Sequence, residues 1–97
     1  MELFHLSKEA KNDLHSIALF TENRWGRTQR NLYIKQLDDA FFMLAQNPNL
    51  GISCDYIRDG YRKFPQGSHL IFYKQSLKST ILIVRILHES MDYESEL

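Results

Sequence analysis

The sequence contains little cysteine, little glycine and no long hydrophobic run, and each shortage excludes a class of protein. A single cysteine, Cys54, rules out an intrachain disulfide and fits a reducing compartment. The glycines form neither a GxGxxG motif nor a P-loop. The longest apolar stretch is too short to span a membrane, and the amino terminus lacks the features of a signal peptide. We therefore expect a cytoplasmic protein with no membrane partner.

Metal and cofactor sites are not expected either. The four histidines, at positions 5, 15, 69 and 88, have no recognised spacing of metal ligands. Cys54 has no adjacent cationic residue that would favour its reactive thiolate, so a catalytic cysteine is not predicted.

The formal net charge is zero, but the charges are unevenly distributed along the chain. Residues 56–88 hold six basic residues against one acid, and residues 89–97 hold four acids and no base. This pattern predicts a basic face that meets an acidic partner or nucleic acid. A solvated sheet edge followed by a frayed tail is an equally ordinary interpretation.

The periodicity predicts one α+β domain over residues 1–97, with the order β-α-α-β-β-β. Ser7 should cap the first helix, Gly26 should end it, and Asn47-Pro48 should stop the second. The last three strands should form an antiparallel meander with the helix hairpin on one face. The predicted strands cover residues 3–6, 61–65, 68–74 and 79–88, the helices 7–25 and 28–46, and a loop 49–60. The helix residues predicted to form the core are Leu14, Ile17, Leu37, Phe41 and Leu44.

Ser79–His88 is the most apolar stretch and is rich in β-branched side chains, which is typical of a central strand covered on both sides. Strand alternation assigns one set of apolar side chains to the helix-facing side: Leu70, Phe72, Leu82, Val84 and Ile86. It leaves another set on an open face: His69, Ile71, Tyr73, Ile81, Ile83, Arg85 and Leu87. With this register His69 lies opposite Arg85, near Arg62.

One group of side chains could bind phosphate and move protons without a metal, as a ribonuclease requires. It consists of Arg62, Lys63, His69, Arg85, His88 and Tyr93. The alternative is structural, with Arg85 paired to a local carboxylate and His69 closing the face.

Six motifs follow one another along nearly the whole chain. They are Leu6-Ser7-x-Glu9-Ala10-x-x-Asp13-Leu14, Trp25-Gly26-x-x-Gln29, Asn47-Pro48-x-Leu50-Gly51, Gly60-Tyr61-Arg62, Gly67-Ser68-His69-x-Ile71-Phe72-Tyr73 and Arg85-Ile86-Leu87-His88-x-x-Met91-Asp92. In type and order they resemble the ParE toxins of the RelE/ParE superfamily, which belong to type II toxin–antitoxin modules.

The resemblance implies a bacterial cytoplasmic toxin that poisons DNA gyrase by binding it, without catalytic residues, cofactor, metal or sequence-specific DNA recognition. It also implies a ParD-like antitoxin that lays its C-terminal segment over the toxin. We expect the target to be bound by Arg62, Lys63, His69, Arg85, His88, Met91 and Asp92. We expect the antitoxin to be bound by Ile71, Tyr73, Ile83 and Arg85.

The same superfamily contains RelE-like enzymes that cut messenger RNA on the ribosome, which is the alternative function. In these ribonucleases the third strand reads roughly Gly-x-Tyr-Arg, whereas here Leu70 stands where the arginine would be. If the chain were such an enzyme, its catalytic residues would be Arg62, Arg85, His88 and Tyr93. Because a phosphate-binding arginine is missing, the resemblance favours gyrase over RNA. A toxin fold directed at a third target is a further alternative.

Overall fold

Two long helices precede three adjacent strands, in the order predicted from the sequence. The structure, a computed structural model, describes residues 3–97. Its elements are β1 (Phe4–Leu6), α1 (Lys8–Trp25), α2 (Arg27–Gln46), β2 (Ile52–Ser53), β3 (Arg62–Gln66), β4 (His69–Gln75), β5 (Ile81–His88) and α3 (Tyr93–Glu96). The α+β class with a helix hairpin is confirmed, and two short elements, β2 and α3, were not predicted.

The helices begin and end at the predicted signals. The hydroxyl of Ser7 accepts the N–H of Ala10 at 3.0 Å, which caps α1. Gly26 separates the two helices with a φ of 93°, a left-handed conformation that glycine adopts without steric cost. Asn47 ends α2, and its N–H donates to the carbonyl of Met43 at 3.0 Å.

The five strands form one mixed sheet in the order β1-β5-β4-β3-β2. β1 is parallel to β5, and the other neighbours are antiparallel, as a meander requires. β2 contains only two residues within the predicted loop, so it has no alternation that a sequence pattern could reveal.

The helix hairpin packs on one side of this sheet and forms the main core. Leu37, Phe41 and Leu44 are at most 1% exposed, Ile17 is buried, and Leu14 packs against them partly buried. The five helix positions predicted for the core are therefore confirmed.

The predicted faces were wrong for β4 and for the first part of β5, whereas Ile86 and Leu87 lie on their predicted sides. Ile71, Tyr73 and Ile83 pack against the helices, whereas Leu70 and Phe72 join a smaller cluster on the opposite side. On β4 both alternating sets are apolar, so the period of two could not decide which set faces the helices.

A β-bulge explains why the predicted faces of β5 were wrong before Val84. Phe72 pairs with Arg85 but the next residue, Tyr73, pairs with Ile83, so Val84 is an extra residue in β5. The alternation changes phase there: Ile81 and Ile83 before it, and Ile86 after it, all join the helix-side core. The predicted helix-facing position of Ile86 is confirmed. His69 pairs with His88 and not with Arg85.

Candidate functional site

The side of the sheet away from the helices carries a row of functional side chains. Lys63 pairs with Phe72, and Phe72 pairs with Arg85, so the three residues cross adjacent strands at one level. Phe72 is fully buried beneath a small apolar cluster that includes Cys54 and Leu87. We call this surface, with residues 92–97 above it, the tail face.

The last residues of the chain cover this row. The ring of Tyr93 lies 5.3 Å from that of Phe72, and Leu97 packs against the same cluster. Lys63 donates from Nζ to the Tyr93 hydroxyl at 3.2 Å and lies 5.0 Å from the centre of its ring. Nε of Arg58 donates to the carbonyl of Leu97 at 3.0 Å. One acid of the tail also lies beside a basic residue of the sheet, since the Glu96 carboxylate is 3.8 Å from Nη1 of Arg85.

Two tyrosines, Tyr56 and Tyr93, lie close to Lys63 on the tail face. The hydrogen bond from Lys63, followed by that with Tyr56, lowers the pKa of Tyr93. Hydrogen bonding to Tyr93 is in turn the main cause that raises the pKa of Tyr56 and of Lys63. The contact with Lys63 therefore makes the Tyr93 hydroxyl easier to deprotonate than an isolated tyrosine, because it lowers the Tyr93 pKa.

Arg85 is held by a carboxylate that sequence reasoning missed. Asp13 accepts Nε of Arg85 at 2.7 Å and Nη2 at 3.0 Å, in a bidentate pair. The same carboxylate accepts the backbone N–H of Ile86 at 3.0 Å. Hydrogen bonding to Asp13 raises the pKa of Arg85 above its already high value.

The position of Asp13 follows from the sheet. β1 pairs with β5 only as far as Ile83, which leaves the rest of that edge without a neighbouring strand. Side chains near the start of α1 occupy it instead: Asp13 binds the Ile86 N–H, and the Ser7 hydroxyl donates to the Val84 carbonyl at 2.7 Å. The structural alternative for Arg85, pairing with a carboxylate, is thus the observed arrangement, although the partner is distant in sequence. Asp13 lies within the first sequence motif, but no pattern in the sequence connects it with Arg85.

Three predicted residues lie on the helix side of the sheet. Arg62 donates to the carbonyl of Gly51 at 2.7 Å, beside the buried Tyr73 with which it pairs. His69 and His88 are cross-strand neighbours whose ring centres are 5.4 Å apart. The Tyr33 hydroxyl is 2.6 Å from Nδ1 of His69, which connects the histidines to α2.

The histidines line a groove of ≈ 430 Å³ between the sheet and the helix hairpin. Its outer wall includes Phe20 and Trp25, which are 64% and 65% exposed. Burial, followed by the charge of His88, lowers the pKa of His69. This position disfavours the cationic form of His69, so the residue is a poor anchor for phosphate at neutral pH.

The predicted site residues are therefore divided between the two sides of the sheet. Lys63, Arg85 and Tyr93 belong to the tail face, whereas Arg62, His69 and His88 lie on the helix side. Met91 and Asp92 lie between them, in the turn that joins β5 to α3, and Met91 is 40% exposed. Tyr56, on the tail face, was missed, and no sequence signal identifies it.

Three of the four residues predicted to bind the antitoxin are not on the surface. Ile71 and Ile83 are fully buried and Tyr73 is 1% exposed, because all three pack beneath the helices. The hydroxyl of Tyr73 is also satisfied internally, since it donates to the Pro48 carbonyl at 2.9 Å and accepts the N–H of Gly51 at 2.8 Å. These positions contribute to the core, and assigning them to an open face was wrong.

Within residues 3–97, no three histidine, cysteine or acidic side chains are grouped so as to hold a metal ion. Over the same residues, no helix has both the length and the apolar character needed to cross a membrane.

Known proteins resemble the chain over nearly its full length. The family model for the ParE toxin of the type II toxin–antitoxin system parDE matches residues 4–93. Toxin ParE1 of Mycobacterium tuberculosis H37Rv is 42% identical over 92 residues, covering 95% of this chain and 94% of that protein. Toxin ParE1 of Caulobacter vibrioides is 36% identical over 97 residues, covering 100% of this chain and 99% of that protein. In fold, the chain matches a structure described as the chromosomal ParDE TA system from P. aeruginosa, with a TM-score of 0.75 at 18% identity, covering 88% of this chain and 92% of that one.

Proposed function

The chain belongs to the ParE toxin family of type II toxin–antitoxin systems, and from this premise we propose that it inhibits DNA gyrase by binding. In this proposal the toxin acts in the cytoplasm, and a ParD-like antitoxin neutralises it. The toxin needs no cofactor and contributes no bond-making step of its own.

The division of the candidate catalytic residues is the observation that carries the proposal. Arg62 and His88 lie on the helix side of the sheet, whereas Arg85 and Tyr93 lie on the tail face. A general acid and a general base must both reach the same reacting group. Arg85 is already bound to Asp13, and the apolar Leu70 holds the position of a further cation. This arrangement favours recognition over RNA cleavage.

The turn after β5 is the part of the molecule best suited to contact the target. Met91 is exposed, Asp92 follows it, and the turn lies between the histidine groove and the tail face. A target bound at this corner can reach His88 on one side and Lys63 on the other. One target bound at this turn would therefore contact residues on both sides of the sheet.

Purified toxin and purified gyrase test this proposal. We expect inhibition of supercoiling and accumulation of cleaved DNA. Lys63→Gln should weaken inhibition, while the control Lys35→Gln should not, since Lys35 is an exposed α2 residue paired with Asp39 at 3.0 Å. Gyrase that supercoils DNA normally in excess toxin would contradict the proposal.

One observation favours the second candidate, a ribosome-dependent ribonuclease. The contact between Lys63 and Tyr93 lowers the pKa of the Tyr93 phenol, which makes its deprotonated form, the form that acts as a general base, more accessible. Tyr93→Phe removes one hydroxyl with almost no change in volume. A proton-transferring tyrosine should lose roughly a hundredfold in rate, whereas a contact residue should lose little. Cleavage of messenger RNA in translating ribosomes that disappears in this variant would favour the ribonuclease.

The antitoxin is proposed to be an acidic, amphipathic chain that is disordered alone and folds on the toxin. The basic side chains Arg58, Lys63 and Arg85, next to the apolar cluster under Tyr93, support this chemistry. Segments that fold on binding wrap large surfaces, so the buried area should exceed that of a standard interface. Hydrogen exchange of the toxin tests this model. If the amides of the helices and of residues 68–88 exchange equally fast with and without antitoxin, the antitoxin does not wrap around the toxin.

A further inference from the structure

β1 is the outermost strand of the sheet, next to β5. The carbonyl of Leu3 accepts the N–H of Thr80 at 3.1 Å, and the N–H of Ser7 donates to the carbonyl of Ile83 at 2.9 Å. Because backbone groups of alternate residues point to opposite sides of a strand, those of Phe4 and Leu6 point away from β5. They form an open edge to which another strand can add.

An apolar groove runs along this edge. Its walls are formed by β1 and by Phe42 of α2, and its volume is ≈ 790 Å³. Phe42 is 44% exposed and Leu3 is 42% exposed, and the Phe42 ring meets that of Phe4 edge-on at 5.0 Å. A strand added beside β1 would place alternate side chains over these apolar groups.

The charges at the groove are all of one sign. Lys11 of α1 and Lys78 of the turn before β5 line it, and none of its described lining residues is acidic. Lysines can also protect an exposed edge from unwanted pairing, and that role alone would need no ligand. The apolar wall beside the lysines favours a binding role. Lysines alone would prevent unwanted strand pairing, and an exposed phenylalanine would not be needed for it.

We propose that an extended segment of the antitoxin, alternating acidic and apolar residues, binds along β1 by strand addition. Main-chain hydrogen bonds to Phe4 and Leu6 would supply the pairing, and the groove would select the side chains. Carboxylates of the segment would meet Lys11 and Lys78. This inference deepens the proposed antitoxin partnership and rests on it.

Hydrogen exchange resolved to single amides tests the pairing. The toxin is measured alone and with its ParD-like antitoxin. The amides of Phe4 and Leu6 should exchange rapidly in the free toxin and become strongly protected in the complex. The amide of His5 faces β5 and should be protected in both.

Three outcomes would overturn strand addition. If the antitoxin binds and the Phe4 and Leu6 amides stay unprotected, the antitoxin partnership holds and the β1 site is wrong. If no antitoxin binds, the partnership and the site both fail. If both amides become protected as free toxin is concentrated, the edge is occupied by a second copy of this chain.

A matched peptide pair tests the chemistry of the ligand. A synthetic peptide that alternates valine and glutamate should protect the same two amides, and its valine–lysine counterpart should not. The double variant Lys11→Gln/Lys78→Gln should bind the acidic peptide about three- to tenfold more weakly at low salt. Lys35→Gln should bind it normally. Equal binding of the two peptides, or equal affinity of all variants, would overturn the assignment to an acidic segment.

Discussion

Replacing Asp13 with alanine removes the acceptor of three hydrogen bonds, two from Arg85 and one from the Ile86 N–H. The two side chains are 14% and 20% exposed, so the arginine left behind would be poorly solvated. Removing one partner of a buried pair costs about 3–5 kcal/mol, because the remaining charge is uncompensated. Partial exposure, and the Glu96 carboxylate that stays 3.8 Å from Nη1 of Arg85, place the expected loss near the lower end, at about 3 kcal/mol.

Urea unfolding of Asp13→Ala, Arg85→Met and the double variant measures this loss. The double variant removes the uncompensated charge, so it should be more stable than Asp13→Ala alone despite carrying one more substitution. The Ile86 N–H remains unpaired in both, which keeps the double variant below wild type. A loss under about 1 kcal/mol in Asp13→Ala, or strictly additive effects, would refute the idea that Asp13 balances a buried Arg85.

Three further predictions concern the core and the two titrating groups. Phe41→Ala should lower the free energy of unfolding by about 3–5 kcal/mol in urea titrations, because Phe41 is 1% exposed; a loss below about 1 kcal/mol would contradict its core role. His69 has a lowered pKa in the folded protein, so stability should be complete above the unfolded pKa of about 6.5 and should fall as the pH drops below it. A His69→Gln variant should lose this part of the pH dependence, and an unchanged profile would exclude His69 as its source. Ultraviolet titration should show Tyr93 ionising at lower pH in wild type than in Lys63→Met, because the Lys63 hydrogen bond lowers the Tyr93 pKa, and identical curves would contradict the contact.

The helices could be predicted because their signals are local. Ser7, Gly26 and Asn47 act within one turn of the helix ends that they fix, so the sequence alone places those ends. The core positions of α1 and α2 follow from the helical period for the same reason. These features could be predicted without knowing how the helices pack against the sheet.

The faces of the sheet could not be predicted in the same way. Both sides of β4 are apolar, and the extra residue Val84 reverses the alternation within β5. A bulge depends on how two strands pair, which no pattern within one strand reveals. The same limit hid the partner of Arg85, since Asp13 lies 72 residues away in sequence. Arg62 and Arg85 looked equivalent in the sequence, yet the sheet separates their side chains.

We propose that this toxin acts on gyrase by binding and not on RNA by catalysis. Wild type and Tyr93→Phe, each checked by a melting curve, should be assayed in parallel for gyrase supercoiling and for cleavage of messenger RNA in translating ribosomes. Both proteins should inhibit supercoiling to a similar degree, and neither should cut RNA. Normal supercoiling, together with RNA cleavage by wild type that Tyr93→Phe abolishes, would contradict a gyrase inhibitor that acts by binding.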